Sequence, residues 1–297
     1  MARVHHFHEP LRLLALAVGF LTRVPVPRTE IGSDDLRRAS AWFPLVGLGV
    51  AGVGVAVRAA AEPIWGAGVG TVAAVAAMIL VTGAFHEDGL ADTADGLWGG
   101  WDPAGRLAIM RDSRIGTYGA VALILVIALR IGLLLPLGLA DFARAVACGH
   151  VLGRASTLLL ARFLPSAPPS PPAPGLSAAR DPLSARSARP GVPPAATGVS
   201  GEALAGRRPR LGASVVGALG PWGVGAASAV VAATVGLAAR AWAPIPLAAG
   251  LIVCLGCAKL FRRRLGGITG DALGAANQLV DLAAVAAIAA LARAGLL

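Results

Sequence analysis

Hydrophobic positions in this chain come in long blocks, separated by shorter polar stretches. Seven blocks, at residues 42–61, 69–85, 120–139, 142–163, 211–239, 244–261 and 278–297, each approach or exceed the length a helix needs to cross the hydrocarbon of a bilayer. An eighth, residues 11–21, is too short to span and reads as an interfacial or re-entrant helix. It is broken by Thr22-Arg23-Val24-Pro25-Val26-Pro27-Arg28, where the prolines remove donors and favour an extended path. Ser33-Asp34-Asp35-Leu36 has the polar cap and first-turn acids of a helix start. Glycines 47, 49, 52 and 54 allow close helix packing in the block that Glu62-Pro63 ends. The expected fold is all-α: one polytopic membrane helical bundle over residues 1–297, with about seven transmembrane helices plus a short N-terminal apolar helix.

Two regions break the pattern. Residues 165–210 are rich in proline, alanine and arginine without an apolar period, and are expected to be an extended or disordered cytoplasmic loop whose shortening matters little. Its arginines (180, 186, 189, 207, 208 and 210) read as charge solvated at the membrane surface. Arg144, His150, Arg154 and Arg162 interrupt the block at 142–163. The outer two can snorkel from its ends, while His150 and Arg154, one turn apart near its middle, should face the bundle interior or a wet cavity.

Composition agrees with the block pattern: 56% of residues are hydrophobic, 14% are charged and the mean hydropathy is +0.71. The net charge of +10 is almost wholly arginine, Lys259 being the only lysine. No aromatic-interleaved basic patch accompanies it, so nucleic acid is not an expected partner. Counted alternately, the loops at 23–40, 86–117, 164–210 and 262–277 share one side and hold most of the arginines. Those near Glu62, Asp141 and Arg240 are short and nearly uncharged. The positive-inside rule makes the first set cytoplasmic. The N-terminus lacks the small-residue cleavage site of a secretory signal. Cys254 and Cys257 form a C-x-x-C without a second pair or a redox-fold context, and with Cys148 they read as small packing residues. The terminal His5, His6 and His8 carry no structural expectation.

The chemistry gathers at Phe85-His86-Glu87-Asp88-Gly89-Leu90-Ala91-Asp92-Thr93-Ala94-Asp95-Gly96-Leu97, at the end of an apolar block. Asp88, Asp92 and Asp95 are spaced i, i+4 and i+7, which stacks them on one helix face. Like charges so placed repel, and at membrane depth they are costlier still. A first-turn acid complements the helix dipole, but three on one face ask for a cation. Oxygen ligands favour a hard ion such as Mg²⁺, usually completed by substrate phosphates. Arg111-Asp112-Ser113-Arg114 places an acid between two guanidiniums suited to phosphate, and Thr269-Gly270-Asp271 adds an acid in a glycine turn on the same side. Phosphoryl transfer, in which positioning and charge stabilisation carry most of the catalysis, accounts for this combination.

The motifs Thr22-Arg23-Val24-Pro25-Val26-Pro27, Phe43-Pro44-Leu45-Val46-Gly47, His86-x-Asp88-Gly89-Leu90-Ala91-Asp92-Thr93-Ala94-Asp95-Gly96, Met110-Arg111-Asp112-Ser113-Arg114-Ile115-Gly116-Thr117 and Gly267-x-Thr269-Gly270-Asp271-x-Leu273-Gly274-Ala275 occur in this order. Together they resemble the cobalamin synthase family, the adenosylcobinamide-GDP ribazoletransferases, over nearly the whole chain except the proline-rich loop. The resemblance implies a multi-pass, Mg²⁺-dependent transferase of the cell (inner) membrane with its active site facing the cytoplasm. It would join adenosylcobinamide-GDP to α-ribazole or α-ribazole 5′-phosphate and release GMP. It further implies metal binding by Asp88, Asp92 and Asp95, with Asp112 and Asp271 as supporting ligands or base. Arg111 and Arg114 become pyrophosphate clamps, with Ser113, Thr269, Gly270 and Arg23 around the substrate, and His86 orients a carboxylate or phosphate. A homo-oligomer is compatible with such a bundle.

The chain departs from that pattern in two places. Glu87 stands where the family usually has leucine and is expected to face outward. Gln278 and Asp281 stand where glutamates are usual, and Gln278 cannot be an anionic ligand. A CDP-alcohol phosphotransferase is the neighbouring alternative, but its D-G-x-x-A-R would need arginine where Asp92 follows Ala91. A divalent-cation transporter would spread its acids through the bilayer depth instead of collecting them at one end.

Overall fold

The computed structural model describes residues 9–27, 32, 34–168 and 219–297, which form ten α-helices among the described residues. These are α1 (Glu9–Leu21), α2 (Asp35–Ala39), α3 (Phe43–Thr82), α4 (Phe85–Gly99), α5 (Pro103–Ile109), α6 (Thr117–Leu134), α7 (Leu139–Phe163), α8 (Pro221–Ala239), α9 (Pro244–Arg264) and α10 (Gly270–Arg293). His5, His6, His8, Arg28, Ser33 and residues 169–218, including the loop arginines, lie outside the described residues.

Among the described residues, five helical stretches are long and apolar enough to cross a membrane: Asp35–Thr82, Thr117–Leu134, Pro221–Trp242, Pro244–Arg264 and Gly270–Arg293. The first holds two crossings. At 40 residues a straight α3 would be about 60 Å long, twice the hydrocarbon thickness. Gly66 instead takes φ 78° and ψ 168°, conformations open only to glycine, and reverses the chain. Gly54 then lies against Met78 and Gly70 against Glu62, as in a helical hairpin centred on residue 66. Its two arms, the other four stretches and the 25-residue α7 match the seven apolar blocks in number and order. α1 is the short, thirteen-residue helix expected at the N-terminus. Arg12 ties it to α2 through a bidentate ion pair with Asp35 at 2.6 and 2.8 Å.

α10 is the central post, packing on α7, α4, α9 and α6. Its contact with α7 is made at Gly149-x-x-x-Gly153. A methyl on Gly149 would meet Asp281 and Val285, and one on Gly153 the Asn277 carbonyl, so the two backbones pass as closely as small-x-x-x-small pairs permit. The bundle has two unlike ends. At one, Arg58 is fully buried against the end of α6, donating to the Leu134 and Leu137 carbonyls and to Glu62, with its guanidinium over the Phe142 ring. At the other end the polar connections gather. Arg23 donates its N–H to the Val81 carbonyl, Arg106 reaches the carbonyls of Trp101 and Arg264, and Pro165 and Ala167 pair with Ile268.

Two boundaries differ from expectation. The polar loop foreseen at 262–277 shrinks to 265–269, because Arg262–Arg264 continue α9, where cations complement the dipole, and Thr269 caps α10 by accepting the Ala272 N–H at 3.0 Å. The proline-rich segment does not begin as free coil: Ser166 forms a parallel bridge with Ile268, so residues 165–167 are part of the folded end.

Candidate active site

The acidic helix is aimed by a tight reversal. Gly83 (φ 65°) and Ala84 (φ 56°) both adopt left-handed conformations between α3 and α4, and the Ala84 N–H bonds back to the Ile79 carbonyl at 2.9 Å. A left-handed alanine is uncommon and strained, which the surrounding packing must hold in place. The Arg23 side chain lies directly over Gly83, where a β-carbon would collide with its Nε. The N-terminal motif is thereby fixed to the entrance of α4.

α4 presents its three aspartates unequally: Asp88 is exposed, Asp92 half-buried and Asp95 buried. The helix crosses α10 at Gly89. A β-carbon there would stand 2.8 Å from the Asp271 carbonyl oxygen, 3.1 Å from its Cα and 3.3 Å from the Gly274 Cα. Main chain meets main chain, and the crossing brings Asp271 beside Asp88 and Asp92. The electrostatics record this gathering. Partial burial, and then the charges of Asp88, Asp271 and Asp95, push the Asp92 carboxyl up to about 7. Arg111, exposed at the rim, lies near enough to act on Asp271.

Asp95 has a further task. Its two oxygens accept the N–H groups of Gly116 (2.7 Å) and Gly119 (2.9 Å), closing the N-terminus of α6, whose dipole favours a carboxylate there. Each oxygen keeps a second lone pair. Asp112 stands apart from this cluster, chelated by its neighbour: Arg114 donates from Nε and Nη2 at 3.0 and 2.6 Å, and that pairing holds Asp112 down at about 2. Arg114 and Ser113 are exposed, as is Gly270 beside the capping Thr269. His86 is turned inward and buried, off the face that carries Asp88, with its ring edge against Phe85.

The inward side of α4 is where sequence reasoning fell short. Glu87 does not face outward. It is 8% exposed, and its Oε1 accepts from Gln278 Nε2 at 3.1 Å. Gln278 in turn accepts from Arg130, which lies 3.3 Å from Asp281, and Asp281 is 2.9 Å from His150 Nδ1. Arg154 completes the group, as the i, i+4 pairing with His150 suggested. The available signal was Arg130 and Asp281 themselves: lone charges inside apolar blocks need partners, and these two are each other's.

A sequence model described as cobalamin-5-phosphate synthase matches residues 13–289. The chain belongs to the cobalamin-5-phosphate synthase family. Among curated relatives it is 39% identical over 277 residues to the adenosylcobinamide-GDP ribazoletransferase of Ralstonia nicotianae, covering 92% of this chain and 93% of that one. The enzyme of the same name from Shewanella woodyi is 37% identical over 286 residues (94% and 96% covered), and that of Leptothrix cholodnii 38% over 281 residues (93% and 94%). No solved structure matches. In this member of the cobalamin-5-phosphate synthase family, the matched span takes in every helix that shapes the acidic end of the bundle.

Proposed function

We propose that this chain is an adenosylcobinamide-GDP ribazoletransferase whose reaction occurs at the acid face of α4 on the cytoplasmic side of the membrane. The observation that carries the reading is the convergence of Asp88, Asp92 and Asp271 at the Gly89 crossing, with Arg111 at the rim. The side is argued from the arginines, which crowd the connections at this end.

The donor set fits Mg²⁺. It is all oxygen, and its mutual repulsion shows in the raised Asp92 carboxyl, which a cation would relieve. Among the described residues no three carboxylate, histidine or cysteine side chains already enclose one point. Mg²⁺ commonly takes only one or two carboxylates, substrate phosphate and water filling the remaining positions. Asp88, Asp92 and Asp271 would hold it. When bound, the ion offsets charge on the pyrophosphate and on the attacking and leaving oxygens.

The chain's own residues supply position and charge. Arg111 faces the pyrophosphate from the rim, and Arg114, held by Asp112, presents its remaining donors outward. A ribose hydroxyl of α-ribazole or its 5′-phosphate attacks the phosphorus that carries adenosylcobinamide. The P–O bond to GMP breaks, and the hydroxyl proton passes to a carboxylate or to water.

The test is purified protein in detergent or liposomes with adenosylcobinamide-GDP, α-ribazole and Mg²⁺. Equimolar cobamide and GMP are expected, with loss of both on chelation. Folded protein that forms neither overturns the assignment.

A further inference from the structure

Beneath the acid face lies a buried polar cluster that the chemistry above does not use. Arg130 (α6), His150 and Arg154 (α7), Asn277, Gln278 and Asp281 (α10) and His86 and Glu87 (α4) are all at least nine-tenths buried. Two guanidiniums face two carboxylates, an arrangement stable in an apolar interior only if charge and hydrogen bonding both balance. Contacts run from Glu87 through Gln278 (3.1 Å), Arg130 (2.9 Å) and Asp281 (3.3 Å) to His150 (2.9 Å), crossing four helices. The cluster lines a cavity of about 10 Å³, room for one water, while Glu87 Oε2, Arg130 Nε, Arg154 Nε and both Asn277 amide atoms lack a protein partner.

Glu87 is the only carboxylate of α4 in this network, and it directly precedes Asp88 in the chain. Two turns further on, Asp95 anchors α4 to the start of α6, and Gly89 and Gly96 set its distance from α10 and α5; at the entrance to the acid face the polar hold is Glu87. A long side chain held at its tip sets rotation. We infer that Glu87 is a positioning residue: gripped by Gln278 and, through it, by Arg130, it fixes the rotation of α4 and hence the geometry of Asp88 and Asp92 against Asp271. The two positions 87 and 278 together supply one carboxylate and one amide, and the network requires that pair, in either order. This inference rests on the transferase reading for its activity readout only.

The pair can be exchanged. Glu87→Gln keeps the shape and leaves the two arginines one carboxylate short. Gln278→Glu sets two carboxylates about 3 Å apart. The double variant restores the balance and places the new carboxylate on Arg130, which already donates to position 278. Each single variant should lose about 10- to 100-fold in kcat with little change in KM, the scale expected when reacting groups are displaced by up to about 1 Å. Each should also bind Mn²⁺ more weakly, read by electron paramagnetic resonance without substrate. The double variant should recover both to within about threefold of the parent. Parent protein that makes no cobamide would count against the transferase reading alone, and Mn²⁺ binding and thermal melting would then decide the inference. It is overturned if Glu87→Gln matches the parent in kcat and Mn²⁺ affinity. If Glu87→Gln does not fold, a double variant no better than Gln278→Glu overturns it equally.

Discussion

The crossing of α4 over α10 is the contact most open to a quantitative test, because two glycines meet there with different room to spare. A β-carbon on Gly89 would lie 2.8 Å from the Asp271 carbonyl oxygen, with the Asp271 Cα at 3.1 Å; one on Gly274 would meet the Gly89 Cα at 3.4 Å and the His86 Cα at 3.5 Å. Ordinary contact begins near 3.4 Å, so Gly89→Ala must open the crossing by about 0.6 Å against rigid main chain, while Gly274→Ala fits as it stands. Overpacking costs about 1–3 kcal/mol, and alanine returns about 1 kcal/mol through helix propensity, leaving Gly89→Ala between neutral and about 2 kcal/mol destabilised. The larger effect is on chemistry. A shift of this size between Asp88, Asp92 and Asp271 should lower kcat by about 10- to 100-fold. Gly274→Ala should stay within about threefold of the parent, and Gly49→Ala, with nothing near its β-carbon, should do the same. The assay is initial rate of cobamide formation, paired with melting of detergent-purified protein. Equal losses at Gly89 and Gly274, or none at Gly89, would refute the claim that this close approach places the acids.

Asp95 and Asp92 should separate by stability. Asp95→Ala strands the Gly116 and Gly119 N–H groups at the start of α6 and should destabilise the metal-free protein by about 2 kcal/mol; an unchanged melting temperature would remove its capping role. Asp92 behaves oppositely. Its folded carboxyl titrates near 7 against 3.8 for an ordinary one, so the native state holds a proton the unfolded chain releases, and metal-free stability falls as pH rises from about 4 to 7. Asp92→Asn should therefore melt above the parent at pH 8, converge with it toward pH 4, and make no cobamide. Mg²⁺ should raise the parent's melting temperature more at pH 8 than at pH 6, since proton and ion compete; a variant melting below the parent at pH 8 would contradict this.

The bundle was legible in the chain because lipid imposes one rule, that an apolar helix be long enough to cross, and each block satisfied it. Boundaries were less legible where polar residues extend a helix: Arg262–Arg264 and Gly270 look like loop until the Thr269 cap is seen. The acid face followed from spacing, which fixes direction within one helix. Spacing says nothing about a partner helix. The inward turn of Glu87 and His86, and the pairing of Arg130 with Asp281, depend on how α4, α6 and α10 rotate against one another. Asp112, Asp88 and Asp95 look alike in sequence, yet one is chelated by Arg114, one is exposed and one caps α6.

The link between Glu87 and Gln278 also bears on how the protein is made. The two residues are 191 positions apart. At ordinary translation rates of about 5–20 residues per second, roughly 10–40 s separate their synthesis. α6 follows within the first quarter of that interval, but throughout it α4 carries four acids and lacks α10, so its inward face has no Gln278 to hold it. α10, made after the other nine described helices, is the one that seats it. A chain stopped short of α10 would therefore not be a weakened enzyme but one without a site, and quality control at the membrane would meet an acidic helix with nowhere to lodge.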